Sequence, residues 1–170
     1  MSRAATCMVA ACLSVLAALV LAPVGAQAVA PPRLAATASA LYAPATGQML
    51  EGVNGNREVA IASTTKLMTA LVVLQHVGNL DTVFTYPDYR QAADDSQIGL
   101  EPGEKMTVHD LLIAMMLPSA DDAAEDLAYN VGHGSVGRFV AMMNAEARRL
   151  GLTRTHYTTP IGLDTPGNHS

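Results

Sequence analysis

An α+β fold is predicted for this chain from three features of its sequence. Two short β-prone segments lie close together near the start, apolar residues recur at helical spacing in four later stretches, and glycine or proline closes each of those stretches. Ser39-Ala40-Leu41-Tyr42 and Gln48-Met49-Leu50-Glu51-Gly52-Val53 read as the strands of a hairpin, joined through Pro44-Ala45-Thr46-Gly47. Asn54-Gly55-Asn56 is a turn. The first helix is expected from about Ser63 to Val77, with Gly78 in the left-handed position that terminates it. Residues 81–103 lack a clear period and are broken by Pro87, Gly99 and Pro102, so a loop-rich excursion with room for short strands is expected. Thr107-Val108-His109-Asp110 resembles a capping box with Asp replacing Glu, and opens a helix to about Leu117. Pro118 ends or bends it, having no amide hydrogen to donate. Further helices are expected from about Ala120 to Asn130, ending near Gly132, and from about Ser135 to Leu150, ending at Gly151. Met68, Met115, Met116, Met142 and Met143 fall at helical spacing and are read as core filling.

Arg3, an apolar run of small residues from Ala4 to Val24, and Ala26-Gln27-Ala28 have the form of a secretory signal peptide (residues 1–28) cleaved after Ala28. The run is long for such a leader, so an uncleaved N-terminal anchor is the alternative. A lipoprotein modified at Cys12 fits worse, because too little apolar sequence precedes that cysteine. Residues 29–38, with Pro31-Pro32-Arg33, form a linker. Both cysteines, Cys7 and Cys12, lie in the leader, so the exported chain is expected to carry no disulfide, thiolate metal site or cysteine nucleophile. Loss of Arg3 takes the formal net charge from −5 to −6. An acidic exported chain without a basic cluster is a poor partner for nucleic acid. His76, His109, His133, His156 and His169 show no paired ligand spacing, so neither a metal nor a cofactor is expected. His76 sits at a helix end, where a cation is favoured in any case.

The chemistry is concentrated in Ser63-Thr64-Thr65-Lys66, which opens the apolar run from Leu67 to Leu74. A serine hydroxyl is a poor nucleophile until a base takes its proton, and a lysine three residues on lies on the same helical face within reach. The positive end of a helix beginning at Ser63 would favour the neutral amine, so that Lys66 could serve as that base. The spacing fits a plainer arrangement equally well, with Ser63 capping the helix and Lys66 in solvent.

Ser-x-x-Lys is the nucleophile motif of penicillin-binding proteins and serine β-lactamases. Ala62-Ser63-Thr64-Thr65-Lys66-Leu67-Met68-Thr69-Ala70-Leu71 resembles the nucleophile segment of the D-alanyl-D-alanine carboxypeptidases. Leu117-Pro118-Ser119-Ala120-Asp121-Asp122-Ala123-Ala124 resembles their second motif, Ser-x-Asn followed by Asp-Ala. Phe139 to Asn144, Leu150-Gly151-Leu152 and Gly162-Leu163-Asp164 fall where that family carries similar stretches, so the resemblance runs from about Ser39 to Ser170. It implies a serine β-lactamase/DD-peptidase-like fold over 39–170, an antiparallel sheet flanked by a helical region. It also implies a substrate, the peptidoglycan stem peptide ending in D-Ala-D-Ala, and β-lactams as covalent inhibitors. In the implied mechanism Ser63 attacks the carbonyl between the two D-alanines, Lys66 accepts its proton, the terminal D-alanine leaves, and water hydrolyses the acyl-enzyme. Ser119 would relay a proton between Lys66 and the leaving amine; its structural alternative is a plain cap of the next helix. The implied location is the cell envelope, with membrane association through the N-terminal segment or a further C-terminal region.

Two departures stand out. Asp121 occupies a substrate-binding position where the family carries Asn, whose amide both donates and accepts, whereas an ionised Asp only accepts. A carboxylate beside a lysine base favours the ammonium form; the other possibilities are a protonated Asp121, or one that meets an amine on the substrate. Asp122 is expected to serve the helix dipole rather than the chemistry. Secondly, the family's third motif, Lys-Thr-Gly on a later strand that binds the substrate carboxylate and lends an oxyanion-hole amide, does not occur in these residues. The chain is therefore expected to be an incomplete copy, cut before the C-terminal strands, and unstable and inactive by itself. Two competing readings are a serine β-lactamase and a non-catalytic exported muropeptide-binding domain. Against the first, Leu150 to Asp164 contains no glutamate to activate a deacylating water.

Overall fold

A computed structural model of the chain describes residues 34–88, 96–163 and 165–170. The expected leader, Pro31-Pro32-Arg33 and Asp164 lie outside the described residues. The chain divides after Val53 into two compact units. In the first, β1 (Ser39–Ala43) and β2 (Gln48–Val53) form the expected antiparallel hairpin, with a register shift between Leu41 and Tyr42. Gly47, at φ +68°, closes its turn by donating its amide to Ala43 O at 3.0 Å.

The second unit is mainly helical. A 3-10 turn at Ala62–Thr64 leads into α1 (Thr65–His76), and a short antiparallel pair, β3 (Val83–Thr85) with β4 (Lys105–Thr107), precedes α2 (Val108–Met116). The helices α3 (Asp121–Val131) and α4 (Val136–Arg149) follow. Strand β3 lies inside the excursion read as loop-rich and β4 just beyond it; three residues are too few to show a period. The expected stop at Gly78 is not used. Val77, at φ −113° and ψ 106°, already leaves the helix while its amide still bonds Val73 O, and Gly78 is not left-handed. Thr107 caps α2 as the motif predicts, its Oγ1 accepting from the Asp110 amide at 3.1 Å. The reciprocal arm is diverted, because the Asp110 carboxylate bonds His109 Nδ1. Ser135 caps α4 through the Arg138 amide, and Gly151, at φ +75°, closes it.

The helix α3 is the hub, packed against α1, α2, α4 and β3. All its residues but Tyr129 and Asn130 are buried, and Ala123, Ala124 and Ala128 let neighbouring helices approach closely. Val72 and Val73 from α1, Leu111 and Met115 from α2, Leu127 from α3, and Phe139 and Met143 from α4 fill the core. Each such side chain contributes about 1.5–3 kcal/mol relative to exposure. Met68, Met115 and Met143 take the core role expected of them, but Met116 turns outward at the end of α2. Among the described residues no helix is long and apolar enough to cross a membrane.

After α4 the described residues form no helix or extended strand beyond a single antiparallel bridge between His156 and His169, and side chains help to hold the segment in place. The Asn144 amide donates to Tyr157 O at 2.8 Å and accepts from the Tyr157 amide at 2.9 Å, imitating a strand partner. Thr69 Oγ1 donates to Pro160 O at 2.6 Å. Together these lay residues 157–162 along α1 and beneath its first turn.

Candidate active site

Ser63 stands in the 3-10 turn just before α1, exposed to solvent, and Lys66 lies one turn on with only 3% of its side chain exposed. Neither feature fits the capping alternative: no side chain caps the turn or the helix, and the lysine is not in solvent. Four oxygens surround Lys66 Nζ. Ser63 Oγ, Ser119 Oγ and Ile161 O each lie at 3.2 Å, and Asp121 Oδ1 lies at 2.5 Å. Two of these, the Ile161 carbonyl and the carboxylate, can only accept; the other two are hydroxyls that can also donate. The Asp121 carboxyl and the Ile161 carbonyl can hold two N–H groups of Lys66, and the remaining direction of Nζ faces the serine hydroxyls.

Ser119 is placed by strain. Its φ of +63° puts a non-glycine residue in the left-handed region, between the exposed Pro118 and the first residue of α3. The cap of α3 is Ala120, without a side-chain bond, so Ser119 does not serve as the expected N-cap alternative. Its hydroxyl points to Lys66 instead. The turn is held by Ala120 N donating to Ala114 O at 3.1 Å and Asp121 N donating to Ser96 O at 2.7 Å.

Asp121 is buried beside Lys66, with Oδ1 2.5 Å from Nζ. Asp122 stands in the first turn of α3, where its expectation put it, and its buried carboxylate accepts from the backbone amides of Ile98, Gly99 and Leu100 as well as from Ala123. Gly162, which the sequence marks only as part of a family-like stretch, lies against the Ser63 turn. A Cβ there would fall 1.9 Å from Ala62 O and 2.8 Å from Thr65 Oγ1. Thr65 Oγ1, fully buried, has no hydrogen-bond partner, so this side of the turn is packed rather than bonded.

Two further carboxyls lie on α3 behind the site. Burial, then the charge of Asp121, pushes Glu125 up to about 7. Burial likewise pushes Asp126 up to about 7, against a hydrogen bond from Asn130 and with the charge of Asp122. Among the described residues, no group of three or more His, Cys, Asp or Glu side chains is placed to hold a metal ion.

The sequence profile described as D-alanyl-D-alanine carboxypeptidase matches residues 25–170. A D-alanyl-D-alanine carboxypeptidase of Streptomyces sp. (strain K15) is 39% identical over 155 residues, which cover 85% of this chain and 53% of that enzyme. The carboxypeptidase DacB2 of Mycobacterium tuberculosis is 42% identical over 122 residues, covering 72% of this chain and 41% of the relative. Among solved structures, penicillin binding protein 6B from Escherichia coli superposes with a TM-score of 0.76 at 34% identity, over 85% of this chain and 49% of that one. The chain spans about half the length of the relatives it matches.

Proposed function

The chain belongs to the D-alanyl-D-alanine carboxypeptidase family, and from that premise we propose that the protein is a serine-type carboxypeptidase that removes the terminal D-alanine from peptidoglycan stem peptides. The observation that carries this reading is the oxygen shell of Lys66, with Ser63 exposed on one side and Ser119 on the other. Ser63 Oγ attacks the carbonyl carbon between the two D-alanines as its proton passes to Lys66 Nζ. Ile161 O and Asp121 Oδ1 keep the amine aimed while it is protonated, since both accept from it before and after the transfer. Ser119, hydrogen-bonded to the same nitrogen, carries a proton from Lys66 to the leaving D-alanine nitrogen. The C–N bond breaks, an ester remains on Ser63, and water cleaves it with Lys66 again accepting a proton. Asp121 borders the substrate at the family's Asn position and acts on it beside Lys66.

The names of the relatives support a shared first half-reaction. One curated relative is a D-alanyl-D-alanine endopeptidase and one solved neighbour is a DD-transpeptidase. What differs among such names is the bond attacked or the acceptor of the acyl group, so acylation of Ser63 is the step the geometry addresses most directly. β-Lactams are the matching covalent inhibitors, and the site of action is the cell envelope, reached by export. Benzylpenicillin treatment of the whole protein is expected to add one penicilloyl mass on Ser63, and a stem pentapeptide to release one D-alanine. A protein that shows no adduct on Ser63 by peptide mass spectrometry overturns the assignment.

A further inference from the structure

Taking Ser63, Lys66 and Ser119 as the catalytic set, we propose that Asp122 is a positioning residue: it clamps the 96–100 loop against the Ser119–Asp121 turn and thereby keeps Ser119 and Asp121 on Lys66. The Asp122 residue is 1% exposed, and among the described residues its carboxylate bonds backbone amides alone. The Ile98 amide lies 3.2 Å from both oxygens, Gly99 and Leu100 donate to Oδ2 at 2.8 and 3.0 Å, and Ala123 donates to Oδ1 at 2.9 Å. Gly99 adopts φ +83°, which lets successive amides converge on one point, the geometry of a backbone anion cradle. Here the anion is a side chain of α3. Charge-assisted bonds of this kind are about twice as strong as neutral ones.

The loop reaches the reaction through one more bond. Ser96 O accepts the amide of Asp121, so the loop is joined to both leading residues of α3. That bond helps to hold the strained Ser119 turn, together with the one from Ala120 N to Ala114 O near the end of α2. A left-handed non-glycine residue persists only where its surroundings over-determine it. Releasing the loop removes one part of that support, and Ser119 Oγ and Asp121 Oδ1 lose their fixed distances to Lys66. Asp122 itself touches neither Lys66 nor the hydroxyls among its recorded bonds, so its influence is exerted through position alone.

The test pairs two variants of the whole protein, Asp122→Asn and Gly99→Ala. The first turns one acceptor into a donor that faces amide donors. The second disturbs only the loop, because an added Cβ at Gly99 meets nothing within 4 Å while the φ is costly for alanine. Benzylpenicillin acylation of Ser63 is expected to slow about tenfold or more in Asp122→Asn and about threefold in Gly99→Ala. Amide hydrogen exchange at Ile98, Gly99, Leu100 and Asp121 is expected to quicken in both. Faster exchange at Ile98–Leu100 with wild-type acylation and wild-type exchange at Asp121 overturns the proposal, as does slow acylation with unchanged loop exchange. If Asp122→Asn does not fold, Gly99→Ala decides. A wild-type protein that is never acylated overturns the functional reading alone, and exchange at Asp121 then decides the clamp.

Discussion

At the scale of single residues, the proposed base is aimed by its neighbours. Ile161 O and Asp121 Oδ1 can each take an N–H group of Lys66, which turns the remaining direction of Nζ toward Ser63 and Ser119. An asparagine at 121 could still accept from Lys66 through its carbonyl oxygen, and would add a donor toward substrate. Asp121→Asn is therefore expected to keep or increase the penicillin acylation rate; a loss beyond about tenfold, or 1.4 kcal/mol of barrier, would show that the carboxylate charge is required. Gly162 imposes a steric condition on the same centre. With φ +88° and no room for a Cβ against Ala62 O, Gly162→Ala must push the nucleophile turn away. Displacements near an ångström at reacting atoms cost about 10²-fold, and stopped-flow acylation of Gly162→Ala should show a loss of that size. A wild-type rate would mean that the turn yields elsewhere.

At the scale of elements, legibility in the sequence followed the length and period of each segment. The helices α1, α2 and α4 announced themselves through apolar spacing, through Thr107 and Ser135 as caps, and through Gly151 as a stop. The Thr107 cap is a quantitative expectation: Thr107→Ala removes the acceptor for the Asp110 amide and should cost about 1 kcal/mol, read as a lower urea midpoint at unchanged slope. The pair β3 and β4 was less legible because three-residue strands are specified by a partner more than twenty residues away. The same is true of residues 157–162. They carry no period, and their course is dictated by Asn144 and Thr69 reaching in from α4 and α1. In the site, Ser63, Lys66, Ser119 and Asp121 were readable because local spacing and motif order mark them. Asp122 and Gly162 were not read for what they do, since a clamp on a loop and a missing Cβ acquire meaning only from segments distant in the chain.

At the scale of the whole molecule, the choice of α3 as the hub sets a pH dependence that composition alone would not suggest. A buried central helix carries Asp121, Asp122, Glu125 and Asp126; Asp121 meets Lys66, Asp122 meets backbone amides, and Asp126 accepts a single side-chain bond from Asn130 among the described residues. Glu125 and Asp126 are held up to about 7, mainly by burial, against ordinary values of 4.5 and 3.8. Between about pH 4 and 7 the folded chain thus keeps protons that the unfolded chain has released, so stability falls as pH rises through that window. Glu146 acts in another range: hydrogen bonds from Arg149 and Gln75 hold it down to about 2, so its stabilisation is complete above its unfolded value and is lost only on further acidification. Urea unfolding of the whole protein should therefore give a higher midpoint at pH 5 than at pH 8. Glu125→Gln, which cannot ionise, should flatten that difference by on the order of 2 kcal/mol, with its gain over wild type appearing at pH 8. An unchanged difference between pH 5 and pH 8 in Glu125→Gln would show that this carboxyl reaches solvent and takes no part in the titration of the hub.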